Sequence, residues 1–146
     1  MKKDMTKVLA VLVLPFLMAA DSDEGFVRIT PGELDWVERA SGTAYVVLTG
    51  DPQSEGLYIQ RNRFPPGAFS RPHYHDQDRF ITVITGTWYT GIGADFDPEN
   101  TVPIGPGSYM KHPAGGVHFD GAKDAEVIVE IRGMGPVETV FVEEAP

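Results

Sequence analysis

Cysteine is absent from this chain of 146 residues. Its absence excludes disulfide bonds, thiolate metal ligands and cysteine nucleophiles. A metal site in this chain would have to use histidine or oxygen ligands. The fold must also be held together by its hydrophobic core alone.

Basic residues are scarce as well. The sequence has 12 lysines and arginines against 21 aspartates and glutamates, which gives a net charge of −9 at pH 7. A chain this acidic lacks the basic surface that binds nucleic acid or anionic lipid. We therefore expect no nucleic-acid partner and no attachment to a membrane surface.

Long apolar runs are missing except at the N-terminus. There the basic stretch "MKKDMTK" is followed by "VLAVLVLPFLMAA", which ends in small residues. This pattern is typical of a secretory signal peptide, and the run is shorter than the roughly 20 residues of a membrane span. We predict a signal peptide at residues 1–20, a single domain over 24–146, and an exported protein, periplasmic or extracellular, that is free of the membrane after cleavage.

The remainder of the chain consists of short alternating runs separated by glycine and proline. Such runs predict an all-β sandwich or barrel. The predicted strands include "FVRIT" (26–30), "TAYVVLTG" (43–50), "LYIQRNRF" (57–64), "FITVIT" (80–85), "AEVIVEIRG" (125–133) and "VETVFVEE" (137–144). Only "GELDWVERA" (32–40) could form a helical turn or two.

The stretch "SRPHYHDQDRF" (70–80) carries the chemistry. On a strand, His73 and His75 point to the same face, and neutral imidazole is the commonest protein ligand for transition metals. Arg79 has the same parity, so we expect it to face the same cavity. A guanidinium has no lone pair and cannot ligate a metal.

Two spaced motifs extend this pattern. The first is Gly67-x5-His73-x-His75-x3-Arg79-x6-Gly86, and the second is Gly107-x5-Pro113-x-Gly115-x2-His118. In these residues the chain resembles the cupin family, whose motifs are G-x5-H-x-H-x3-4-E-x6-G and G-x5-P-x-G-x2-H-x3-N. The resemblance covers residues 43–133. It departs from the family at two positions, because Arg79 replaces the glutamate ligand and Ala122 replaces the asparagine.

The resemblance implies a cupin-type double-stranded β-helix, or jelly-roll barrel. It also implies that His73, His75 and His118 converge on one divalent transition metal, either Fe, Mn, Zn or Ni. The motif glycines are expected to make tight turns with positive φ. Gln77, Asp76 and Asp78 are candidates for a further ligand.

Three interpretations of Arg79 remain open. In the first, the site is a three-histidine metal centre, as in cupins that resemble cysteine and diketone dioxygenases, and Arg79 binds a substrate carboxylate or enolate. In the second, a metal-free cavity binds an anionic small molecule. In the third, Arg79 is structural and pairs with Asp76, Asp78 or Asp120.

The functional hypotheses follow from these interpretations. The first is a metal-dependent, dioxygenase-like enzyme that acts on a small carboxylate or enolisable molecule, with Arg79, Tyr109 and His112 as catalytic candidates. The alternative is a non-catalytic protein that binds small molecules, in which His112 is simply a buried or rim histidine. Exposed sheet edges favour a homodimer in either case.

Overall fold

The structure, a computed structural model, describes residues 25–142 of the chain. The predicted signal peptide at residues 1–20 lies outside the described residues. Internal contacts divide the chain into two units, residues 1–30 and residues 31–146. Every described strand belongs to the second unit. Among the described residues, no helix has the length and apolar character needed to cross a bilayer.

Two antiparallel sheets follow a single 3-10 turn at Pro31–Glu33. Their strands are β1 (Val37–Glu38), β2 (Ala44–Thr49), β3 (Gly56–Phe64), β4 (His73–His75), β5 (Arg79–Thr85), β6 (Trp88–Ile92), β7 (Val102–Ile104), β8 (Tyr109–His112), β9 (His118–Gly121), β10 (Val127–Gly135) and β11 (Thr139–Phe141). One sheet has the order β1-β2-β3-β10-β5-β8 and the other β11-β4-β9-β6-β7. Neighbouring strands that are distant in sequence are typical of a jelly roll, so the predicted all-β fold is confirmed.

Two local predictions were wrong. Residues 26–30, predicted as a strand, form none. A five-residue alternation fits a strand but does not specify a partner to pair with. Residues 32–40 were the one helical candidate, yet they contain only the end of the 3-10 turn and then β1, which pairs with β2. Pairing with a neighbouring strand prevailed over local helical character here.

Alternation along β3, β5 and β10 produces the core. One side chain in two points between the sheets, and fully burying a large aliphatic side chain contributes roughly 1.5–3 kcal/mol. Ala122, which stands where the second motif has asparagine, is completely buried in this core. An apolar residue at this position therefore contributes to packing. The buried core consists of Tyr58, Phe64, Ile81, Val83, Trp88, Ala122, Val127, Val129 and Ile131.

The motif glycines make the turns that the motifs predict. Gly67, Gly86, Gly107 and Gly115 have φ of 79°, 76°, 82° and 74°. These values lie in the left-handed region, which glycine adopts without steric cost. At Gly86 the backbone also approaches Glu126 so closely that a Cβ would collide with its carbonyl oxygen. The turn between β5 and β6 therefore requires glycine for two reasons.

Strand register brings the chemical residues of distant segments together. In one sheet, β4 lies beside β9 and His73 is directly opposite His118. In the other sheet, β5 lies beside β8 and Arg79 is directly opposite His112. The two motifs therefore meet as two cross-strand pairs, one from each sheet.

Candidate functional site

A cavity of about 720 Å³ is lined by residues of both sheets. All four histidines of the chain line it, together with Arg79 and Asp120. These six side chains are at most 9% exposed. Buried titratable groups that converge on one cavity are the usual mark of a binding or catalytic site.

His73, His75 and His118 form a triad. Their ligand atoms lie within 4.8 Å of one another, and the ring centroids of His73 and His118 are 4.4 Å apart. A transition metal bound by imidazoles needs nitrogens about 2.0–2.1 Å from the ion. The three residues are therefore close enough to hold one ion after small movements.

Backbone carbonyls set the tautomer of each imidazole in the triad. The Nδ1 atoms of His73, His75 and His118 lie 2.7, 3.2 and 2.8 Å from the carbonyl oxygens of Arg71, Glu138 and Gly116. Because a carbonyl only accepts, each Nδ1 carries the proton and donates it. Each Nε2 is then left with its lone pair, which is the arrangement found in metal-binding histidines.

The environment favours the neutral form of His75 and His118. Burial lowers the pKa of His75 to about 2, and the positive charge of Arg79 acts in the same direction. Burial also lowers the pKa of His118, although the nearby Asp120 carboxylate opposes the shift. Neutral imidazole is the form that binds metal, so no proton has to be displaced from these nitrogens at pH 7.

Arg79 lies inside the cavity beside the triad. Its Nη1 donates a hydrogen bond to Nε2 of His75 at 2.6 Å, while its Nε is buried and has no hydrogen-bond partner among the residues that the structure describes. Burial lowers the pKa of Arg79, and the neighbouring Tyr58 and Asp120 oppose that shift. Since Nε2 of His75 has one lone pair, it cannot bind a metal while Arg79 holds this position.

Asp76 and Asp78, the two carboxylates nearest in sequence, lie outside the cavity lining. Asp78 accepts from Lys111 Nζ at 2.6 Å and from the Ala114 N–H, and Asp76 accepts from the Glu138 N–H. They are therefore neither ligands nor partners of Arg79 in this arrangement. Gln77 is exposed and also lies outside the lining. Strand β4 ends at His75, so the alternation that predicted an inward Gln77 does not continue through the following bend.

Asp120 is the carboxylate that does face the triad. It is 5% exposed, and its Oδ2 lies 3.8 Å from Nε2 of His118. From the sequence, Asp120 was expected only as a partner for Arg79. The same alternation that pairs His73 with His75 relates His118 to Asp120 along β9, and it could have identified this residue as facing the cavity.

His112 also belongs to the cavity. It is 4% exposed, its ring centroid is 3.6 Å from that of His118, and its Nε2 has no hydrogen-bond partner among residues 25–142. Burial lowers its pKa to about 2, and the positive charge of Arg79 acts in the same direction. His112 is therefore a neutral imidazole with an open nitrogen beside the triad.

Tyr109, a catalytic candidate from the sequence, does not line the cavity. Its side chain is 63% exposed and lies outside the cavity lining. Because His112 faces inward from β8, alternation turns the residue three positions earlier outward. The structure therefore does not bring Tyr109 together with the histidines.

The charged lining of the cavity is more cationic than the chain as a whole. Arg39, Arg71 and Arg79 line it against two carboxylates, Asp51 and Asp120. With neutral histidines the lining carries a net positive charge, although the chain carries −9. A low-dielectric cavity of this sign attracts anions.

Comparison with known proteins gave matches in structure but not in sequence. No family model and no curated protein matches the chain. A sugar phosphate isomerase of a cupin superfamily from Silicibacter pomeroyi has a TM-score of 0.63 at 20% identity, covering 80% of this chain and 82% of that one. The polyketide cyclase RemF from Streptomyces resistomycificus has a TM-score of 0.62 at 20% identity, covering 82% and 89%.

A third match is the DMSP lyase DddQ from Ruegeria pomeroyi, with a TM-score of 0.62 at 18% identity. The match covers 79% of this chain and 64% of that one, and the chain spans 63% of a further DMSP lyase structure. An isomerase, a cyclase and a lyase perform three different reactions. The comparisons therefore establish the fold and leave the reaction to be argued from the site.

Proposed function

Because the chain has the cupin fold, we propose that it is a metal-dependent protein acting on a small carboxylate or enolisable molecule in the cavity. His73, His75 and His118 would hold the metal. The observation that carries the proposal is that three backbone carbonyls fix Nδ1–H on all three rings, which leaves a lone pair on each Nε2, in three residues whose ligand atoms lie within 4.8 Å of one another. The buried Nε2 of His118, which has no hydrogen-bond partner among the described residues, also suits a bound cation.

Bound by the triad, a divalent transition metal (Fe, Mn, Zn or Ni) would polarise substrate oxygens or, in a dioxygenase-like reaction, activate O2. The protein's own contribution is the shape, dryness and charge of the cavity. Buried Trp88 and Ile81 wall it and exclude water. His112, whose Nε2 is buried in the cavity lining, is suited to form a hydrogen bond with a bound molecule, and a pKa of about 2 means that it carries no second proton at pH 7.

Arg79 would bind the anionic group of the bound molecule. A metal bound to His75 requires the guanidinium to leave Nε2, and the departing cation needs a new acceptor. A carboxylate or enolate of the bound molecule would serve, because guanidinium and carboxylate form paired, charge-assisted hydrogen bonds. The unpartnered Nε of Arg79 and the positive lining both support an anionic ligand.

Metal analysis tests this function. The purified protein should contain about one transition-metal ion per chain, and chelator-stripped protein should take it up again. His118→Ala should lose the metal, whereas Tyr109→Phe, which changes an exposed residue outside the cavity, should keep it. A wild-type protein that holds no metal and takes none up would overturn the proposal.

The contact between Arg79 and His75 favours a second candidate, a metal-free protein that binds anionic small molecules. Here Arg79 supplies the charge and the histidines supply hydrogen bonds. Thermal unfolding with a panel of small carboxylates, with and without chelator, separates the two functions, because only binding to the native state raises the unfolding temperature. Stabilisation that is indifferent to chelator favours the metal-free protein.

Export and self-association complete the proposal. The leader pattern of residues 1–20 supports export. Mass spectrometry of the protein secreted by an expression host would give the molecular mass of the chain and show whether the leader is removed. Exposed edge strands support a homodimer formed by strand pairing. Sedimentation velocity at several concentrations would give the mass in solution.

A further inference from the structure

A second group of metal donors lies beside the triad. The ligand atoms of His112, His118 and Asp120 fall within 4.8 Å of one another. His112 comes from β8 in one sheet, and His118 and Asp120 come from β9 in the other. All three residues are at most 5% exposed, so water does not satisfy them freely.

The nitrogen donors of this second group make no hydrogen bond within the described part of the chain. Nε2 of His112 and Nε2 of His118 are both buried, and neither has a hydrogen-bond partner there. Burying such nitrogens unpaired costs stability, and native proteins seldom leave two of them side by side without a reason. Asp120 Oδ2 lies 3.8 Å from one of these nitrogens and faces the cavity.

The triad differs from this group in occupancy and in charge. One of its three nitrogens, Nε2 of His75, already accepts a hydrogen bond from Arg79. The triad also has no carboxylate, because Arg79 stands where related motifs have glutamate. The second group contains one carboxylate, so a divalent cation there is partly neutralised by Asp120 even while Arg79 stays in place.

We propose that His112, His118 and Asp120 form a second position for a divalent transition metal, of the two-histidine, one-carboxylate type. Such donor sets hold Fe, Zn and related ions with open coordination positions. His118 is shared by both groups and has a single free lone pair, because its Nδ1–H donates to the carbonyl of Gly116. One ion therefore occupies either the second position or the triad, and never both at once.

The position of Arg79 determines whether the ion binds at the triad or at the second position. With Arg79 on His75, the ion takes the second position. When an anion draws Arg79 away, the triad becomes complete and competes for the ion. This consequence rests on the proposed function, whereas the second position itself does not.

Cobalt binding to the full chain tests the proposal, with Co²⁺ as the probe in carboxylate-free buffer. We expect Asp120→Asn and His112→Gln each to weaken Co²⁺ binding at least about tenfold and to alter its visible absorption spectrum, because each removes one of three donors. His73→Ala, which changes only the triad, should retain one Co²⁺ with near wild-type affinity. Wild-type affinity and spectrum in both Asp120→Asn and His112→Gln would overturn the second position.

Crystals of the wild-type protein soaked with Co²⁺ give a test that needs no variant to fold. An anomalous peak within bonding distance of His112 and Asp120 supports the proposal, and a peak bonded to His73 and His75 instead overturns it. Adding benzoate as a simple carboxylate separates this outcome from the proposed function. If His73→Ala binds Co²⁺ like wild type in benzoate, the triad fails while the second position stands.

Discussion

Nη1 of Arg79 lies 2.6 Å from Nε2 of His75, on the lone pair that a metal would need. If the triad binds a metal, the guanidinium would therefore compete with the metal for this lone pair. In addition, its positive charge is buried beside the place where a divalent cation would bind, and electrostatic repulsion is strong at low dielectric. Both effects would be relieved if the Arg79 guanidinium left His75 and paired with a bound anion.

Arg79→Met is expected to raise the affinity for Zn²⁺ about tenfold, the order of a typical coupling between sites. The substitution frees the His75 lone pair and removes the buried positive charge, while methionine fills much of the same space. Isothermal titration with Zn²⁺ measures the effect. Arg39→Met removes another arginine of the cavity lining and is the matched control, which should change the affinity much less. An unchanged or weaker affinity in Arg79→Met would show that Arg79 does not compete with the metal.

Zn²⁺ and a small carboxylate should bind cooperatively in the wild-type protein. Saturating benzoate should tighten Zn²⁺ binding by roughly 5- to 150-fold, the range of common coupling energies, and Zn²⁺ should tighten benzoate binding by the same factor. The cause is that the anion relocates Arg79 and completes the triad. The titrations should be repeated with Arg79→Met, in which the coupling should vanish. Equal Zn²⁺ affinities with and without benzoate in the wild type would contradict the mechanism.

Much of the fold follows from local pattern. The alternating runs predicted five of the eleven described strands, β2, β3, β5, β10 and β11, and the spacing of the motif glycines predicted four turns with positive φ. These features can be predicted from sequence because they depend on local properties of the chain. The properties are the two-residue side-chain period of a strand and the steric freedom of glycine. The unpaired run at residues 26–30 failed because a strand also needs a partner, which alternation does not name.

The site was less predictable, since it depends on contacts between distant segments. Arg79 could have paired with any of three nearby aspartates, and no rule of sequence indicates that Asp76 and Asp78 would instead accept from Glu138 and Ala114. Asp120 could have been predicted as a cavity residue, because it follows His118 by two residues on β9 and strand alternation gives both side chains the same face. Its signal lies in the second motif and not in the first, where the glutamate is missing.

Ile81→Ala should lower the free energy of unfolding by about 2–5 kcal/mol, because it removes most of a side chain that is 1% exposed in the core. Ile92→Ala is the matched control. Ile92 is 84% exposed, and substitutions at such positions usually change stability by no more than about 0.5 kcal/mol. Urea denaturation followed by circular dichroism gives both values. Similar losses in the two variants would show that the core is not where the two-sheet structure places it.

Gly86→Ala should destabilise the protein more than Gly107→Ala. Both residues have positive φ, which costs an L-residue about 1–2 kcal/mol. At Gly107 an added Cβ meets nothing within 4 Å, so the strained backbone conformation is the whole cost. At Gly86 the Cβ would also meet the Glu126 carbonyl and the Val127 side chain, so β5 and β10 would have to separate. The two variants are compared by urea denaturation, as for Ile81. Equal losses would mean that the turn at Gly86 can move away from β10 at no further cost.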